Sequence, residues 1–169
     1  MPLTLALTAP GAALIGAGTA AAINVIALFL VGVRQERQRR RDLYAGALEA
    51  TIAYREFPYA IPRRRHDERP AERVRISEAL REVQRDLARA ESLMQIERAR
   101  GVATSYRALV SKTREIAGGY MRDAWERDPI TQDDQMNVRG GLDFSKLKPF
   151  EDAYLEAVAH DLSWWRFWR

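Results

Sequence analysis

The sequence predicts an all-α protein: an N-terminal single transmembrane helix followed by a cytoplasmic antiparallel helical bundle of about four helices. Three observations predict it. Residues 1–33 hold no Asp, Glu, Lys, Arg or His, and 11–33 are almost wholly apolar. Beyond them, apolar residues recur at steps of three and four in four stretches separated by Pro and Gly, the period of an amphipathic helix. No run shows the two-residue alternation of a strand bounded by turns, and no segment repeats.

The first element is the expected span. Gly11 to Val33 reads GAALIGAGTAAAINVIALFLVGV, with Thr19 and Asn24 its only polar residues. As a helix its 23 residues reach about 34 Å, enough for a hydrocarbon core of about 30 Å. Pro10 suits a first helical turn, capped by Thr8 or Ala9. A cleaved signal peptide would carry its positive charge before the apolar run, and here the charge follows it. Arg34-Gln35-Glu36-Arg37-Gln38-Arg39-Arg40-Arg41 carries five Arg and one Glu. Arginines flanking a span stay on the cytoplasmic side. The expected layout is a short extracytoplasmic N-terminus at 1–10, a transmembrane helix at 11–33 and a basic juxtamembrane segment at 34–41. Residues 42–169 follow in the cytoplasm, and the location is the inner (plasma) membrane.

Within the span, Ala12, Gly16, Ala20 and Asn24 lie four apart on one helix face, and Gly18 with Ala22 makes a second small pair. Small residues let transmembrane helices approach, and an Asn can hydrogen-bond across the contact. These four are the candidate helix–helix contact for a homo-oligomer. An Ala-rich anchor would carry Gly and Ala for composition alone. Val25 to Val33 is bulkier and reads as lipid contact.

The charge of the rest is balanced. The chain has 27 basic and 23 acidic residues, and without the juxtamembrane stretch 22 of each remain. A nucleic-acid-binding domain concentrates basic charge on its folded body, so no nucleic acid is expected as a partner. Only Lys112, Lys146 and Lys148 among the basic residues are lysine, a preference for Arg that fits a GC-rich bacterial genome.

The first cytoplasmic helix, Arg34–Phe57, has apolar positions at Leu43, Tyr44, Ala47, Leu48, Thr51, Ile52 and Phe57. No breaker separates it from the span, so one helix of about 45 residues is expected, ended by Pro58 and Pro62. Residues 58–70 read as a solvated connection. A second helix starts near Pro70 with Val74, Leu80, Val83, Leu87, Ala90 and Met94 inward. Its other face alternates charges, Glu72, Arg75, Glu78, Arg81, Glu82, Arg85, Asp86 and Arg89, as a solvent face does. After a break near Glu97–Gly101, a third helix carries the stripe Val102, Tyr106, Leu109, Val110, Thr113, Ile116, Ala117, Tyr120, Met121 and Trp125. Gly118-Gly119 weakens its interior. Residues 128–148 are irregular, with turn signals at Pro129 and Gly140-Gly141 and a capping-box pattern at Thr131 and Asp134. A last helix from about Pro149 uses Phe150, Tyr154, Ala157, Val158, Leu162 and Trp165.

No catalytic constellation stands out, and the chain reads as no enzyme, with no cofactor. It lacks cysteine and has two histidines, His66 and His160. Glu156 lies one turn before His160 and Asp161 directly after it, but a metal site needs three or four ligands. Asp133-Asp134-Gln135-Met136-Asn137 lacks the Gly and the Glu of a calcium loop. No phosphate-loop, dinucleotide, zinc-protease or nucleophile-elbow motif occurs. Ser77, Ser92, Ser105, Ser111 and Thr113 have no nucleophile context.

The C-terminus, Ser163-Trp164-Trp165-Arg166-Phe167-Trp168-Arg169, carries three of the four Trp. Trp164, Trp165 and Trp168 are candidate interface aromatics. Bundle core, membrane interface and partner contact are all open to them.

The order of elements resembles a loose group of small single-pass membrane proteins of actinobacteria and their phages. That group has an N-terminal span, a basic flank, a cytoplasmic helical bundle and a last helix with a Phe-xx-Ala…Asp-Leu pattern, here Phe150, Ala153, Asp161 and Leu162. The resemblance implies no activity and transfers no catalytic residue. The functional expectation is a membrane-tethered helical module for protein–protein interaction, with lipid and an unidentified protein as partners. The alternative is an oligomerising membrane-active effector of the phage-exclusion or toxin type. An enzyme built on bundle carboxylates stands third.

Overall fold

A computed structural model describes residues 9–132, 135–136 and 141–163, with side chains from residue 24 onward. Among the described residues there are four α-helices and no strand: α1 (Ala9–Ala60), α2 (Arg69–Ile96), α3 (Arg100–Glu126) and α4 (Lys148–Asp161), the last preceded by a 3-10 turn at Ser145–Leu147. The chain divides into two compact units, Met1–Arg40 and Arg41–Arg169.

In the first unit, the described side chains of the apolar run are those of Asn24 to Val33. Val25, Ile26, Leu28, Phe29, Leu30 and Val31 are 48–72% exposed. Among the described residues no helix is long and apolar enough to cross a membrane. Ten helical residues reach about 15 Å, half a hydrocarbon core. The side chains of the remaining part of the expected span, 11–23, lie outside the described residues.

The second unit is a helical bundle, and cross-helix contacts fix its directions. On α1 and α4, Tyr44 meets Asp161 while Arg55 meets Glu151, so these helices run antiparallel. The ring of Tyr106 meets that of Tyr154 on α4, and farther along α3 the ring of Tyr120 meets that of Phe144, which precedes α4 in the chain, so α3 runs antiparallel to α4 as well. Glu91 and Arg107 face each other across the α2–α3 turn.

The inward faces follow helical spacing. On α1 they are Tyr44, Ala47, Thr51, Tyr54, Phe57 and Ile61. Ile52, expected inside, is 47% exposed, and Tyr54 takes the inward phase instead. On α2, Val74 faces out and Ile76 is buried. Ile76 stands one turn before Leu80 and Val74 does not, so the stripe had to pass through Ile76. On α3 the buried set from Val102 to Met121 follows the expected stripe closely, adding Ala103 and Ala124.

Two charged residues expected in solvent are covered. Glu72 is buried: both its oxygens accept from Arg75 at 2.8 Å, and the Arg65 amide donates to it at 3.2 Å. The Arg75 hydrogen bonds hold its carboxyl far below the usual range, at about 2. In the connection between α1 and α2, Arg64 is also buried. Its Nη1 donates to the carbonyls of Ile61 (2.9 Å) and Ala124 (3.2 Å), and its Nη2 to that of Arg127 (2.5 Å). Its guanidinium stands 5.0 Å from the Trp125 ring centre. Residues 58–64 are therefore docked on the end of α3, whereas residues 65–70 are exposed. Pro58 lies inside α1, which ends two residues beyond it at Ala60.

Helix α2 ends in a Schellman motif, with Arg98 N–H to Gln95 O and Ala99 N–H to Met94 O, both at 3.0 Å. The left-handed position, usually glycine, is Arg98 at φ 57°. A side chain there costs about 1–2 kcal/mol, partly offset by the lower entropy of a non-glycine unfolded chain. Arg98→Gly should therefore raise stability by about 0.5–1 kcal/mol. A shift of the urea midpoint to higher concentration at constant slope checks it; a lower midpoint would show that the Arg98 side chain contributes more than its backbone costs.

Candidate functional site

The bundle interior holds a tyrosine cluster contributed by three helices. Tyr44 on α1, Tyr106 on α3 and Tyr154 on α4 are all buried. Each hydroxyl donates across a helix interface. Tyr44 Oη reaches Asp161 Oδ2 at 2.7 Å, Tyr154 Oη the Tyr44 carbonyl at 2.8 Å, and Tyr106 Oη the Ala47 carbonyl at 3.2 Å. Thr51 Oγ1 donates to that same Ala47 carbonyl at 3.0 Å. The Tyr106 and Tyr154 rings stand 5.5 Å apart, tilted, a favourable aromatic geometry.

Burial pushes the Tyr106 hydroxyl up to about 12 and the Tyr154 hydroxyl higher still. Both remain protonated donors at neutral pH. A phenol so held is neither a base nor a nucleophile; its hydroxyl fixes the separation and register of two helices.

Beside the cluster, at the α2–α3 turn, a cavity of about 470 Å³ opens between that turn and α4. Arg98, Arg100, Gly101 and Val102 form one wall, and Ala153, Glu156, Ala157, His160 and Asp161 the other. The volume is within the range of small-molecule sites. One wall is cationic; the other carries two carboxylates and an imidazole. Asp161 is buried and takes the Tyr44 hydrogen bond, while Glu156 and His160 are exposed. Among the described residues no three His, Asp or Glu side chains are placed to hold a metal ion.

Of the residues singled out by sequence, Ala12, Gly16, Ala20 and Asn24 all lie on α1. Asn24 is exposed; the side chains of Ala12, Gly16 and Ala20 lie outside the described residues. So do Trp164, Trp165 and Trp168, and Asp134 of the capping-box pattern. Glu156 and His160 share the cavity wall on α4. Sequence reasoning missed the tyrosine cluster because a tyrosine at an inward helical phase looks like any other apolar stripe member. The sequence carries no signal for it, because the level at which Tyr44, Tyr106 and Tyr154 meet is set by the packing of the helices. Compared with protein-family models, with curated proteins and with solved structures, the chain matches none.

Proposed function

We propose that the protein is a membrane-tethered helical interaction module. Residues 11–33 cross the plasma membrane once with the N-terminus outside, and residues 34–169 lie in the cytoplasm. There the bundle offers its surface to a protein partner. The observation that carries the reading is the row of large aliphatic and aromatic side chains from Val25 to Val31, left 48–72% exposed on α1. An unbroken apolar patch of this kind marks a membrane or protein contact, and the basic residues begin directly after it at Arg34. The interior of the bundle supports a scaffold role: the hydroxyls of Tyr44, Tyr106 and Tyr154 are spent on joining helices. Self-association through the face of Ala12, Gly16, Ala20 and Asn24 belongs to the same proposal.

Alkaline phosphatase, active only outside the cytoplasm, tests the orientation. Fused after Arg169, it should be silent, while the same fusion to a chain with an added leader and no span should be active. Strong activity of the first fusion would reverse the topology and remove the bundle from the cytoplasm.

A further inference from the structure

We infer that Arg34 and Arg37 form a site for the phosphate of an anionic phospholipid, an inference that rests on the membrane reading above. The five arginines of the juxtamembrane segment are not equivalent. Glu36 accepts from Arg39 Nε at 3.1 Å and Arg39 Nη2 at 3.2 Å, and its other contact is Arg40 Nε at 2.9 Å. One carboxylate thus occupies two guanidinium groups, and the hydrogen bonds from Arg39 and then Arg40 hold the Glu36 carboxyl below its usual range.

Arg34 and Arg37 have no carboxylate partner among the described residues. Arg34 is exposed. The Nε of Arg37 is covered and meets no acceptor. The two stand three residues apart on α1, so their Cβ atoms are about 5–6 Å apart on one face. Two guanidinium groups at that spacing can share the oxygens of one phosphate.

Depth selects the same pair. The apolar run ends at Val33. Along the helix Arg34 lies about 1.5 Å beyond it and Arg37 about 6 Å. The headgroup layer is about 5–8 Å thick on each side of the hydrocarbon. Arg39 and Arg40, about 9 and 10.5 Å beyond, stand past its phosphates. Glu36 therefore engages two of the three arginines that overshoot the lipid, Arg41 standing farthest at about 12 Å, and leaves the two that reach it.

The test uses the full chain in a neutral detergent, titrated with dioctanoyl phosphatidylglycerol. An arginine near an anionic leaflet is worth about fivefold in binding, so R34Q/R37Q should raise Kd by about 30-fold. The charge-matched variant E36Q/R39Q/R40Q/R41Q, which removes the same net charge of two farther along the helix, should leave Kd within about threefold. Equal weakening by both variants would reduce the site to general positive charge and overturn the inference. Dioctanoyl phosphatidylcholine should bind the wild type no better than R34Q/R37Q. Inorganic phosphate should compete poorly; competition as strong as that of phosphatidylglycerol would make the ligand a free phosphate and overturn the lipid assignment. Alkaline carbonate extraction of membranes separates this from the tether. R34Q/R37Q should stay embedded while losing its lipid preference. If the wild-type chain itself is extracted, the membrane reading fails first and the inference falls with it.

Discussion

Leu109→Asp should unfold the bundle. Leu109 is fully buried on α3. Removing its side chain from the core forfeits about 1.5–3 kcal/mol of burial. A buried carboxylate in its place costs several kcal/mol more if it stays charged without a partner. Domains of this size are stable by about 5–15 kcal/mol, so the change consumes most or all of the margin. Residues 41–169 expressed alone should give a strongly helical far-ultraviolet spectrum and a cooperative melt, and Leu109→Asp should abolish the melt. Leu80→Asp on α2 should do less, because Leu80 is only partly buried and its carboxylate can turn to water. Two variants of equal stability would mean that the core is not where the buried surfaces place it.

Arg64→Ala should lower the melting temperature by about 10–20 °C, from a loss of about 3–5 kcal/mol. The cost comes from what the guanidinium leaves behind. It donates to the carbonyls of Ile61, Ala124 and Arg127 and so ties the end of α1 to the end of α3. Without it, the Ala124 carbonyl loses its donor in a place that water reaches poorly, the Ile61 carbonyl keeps only the main-chain amide of residue 64 at 3.2 Å, and Trp125 loses the cation over its ring. Arg64→Lys should recover roughly half of the loss, since an ammonium keeps the charge but cannot span three carbonyls in a planar fork. A melt of Arg64→Ala within two or three degrees of wild type would show that the docking of residues 58–64 does not depend on this side chain.

Helix existence and spacing were legible in the sequence because each depends on local signals. Pro70 and Pro149 sit in the first turns of α2 and α4, and the break at 97–99 falls where the charged run meets Gly101. The α3 stripe was read almost residue for residue, since a long amphipathic helix fixes its own phase. Phase was lost where the apolar signal was sparse. On α2, Val74 and Ile76 are two apart and only one can face inward; the one-turn spacing from Ile76 to Leu80 is the single local reason to choose Ile76. Arg64 and Glu72 were assigned to solvent because burial of a charge depends on partners far along the chain, such as the Ala124 carbonyl 60 residues away. The tyrosine cluster and the cavity beside it were invisible for the same cause: each is made by the meeting of helices, and no one helix carries it.

The tyrosine cluster also orders events during synthesis. Its bonds join the first bundle helix to the last: Tyr44 and Asp161 are 117 residues apart, and Tyr154 and the Tyr44 carbonyl 110. At about 5–20 residues per second, a ribosome needs about 6–23 s to travel from the first partner to the second. During that interval Tyr44 and Ala47 have α2 and α3 to collapse upon but no α4 to close the groove. The core is sealed only once α4 has been made. A chain that terminates early therefore keeps an open apolar seam along α1, a mark by which proteases and chaperones can tell an unfinished copy from a complete one.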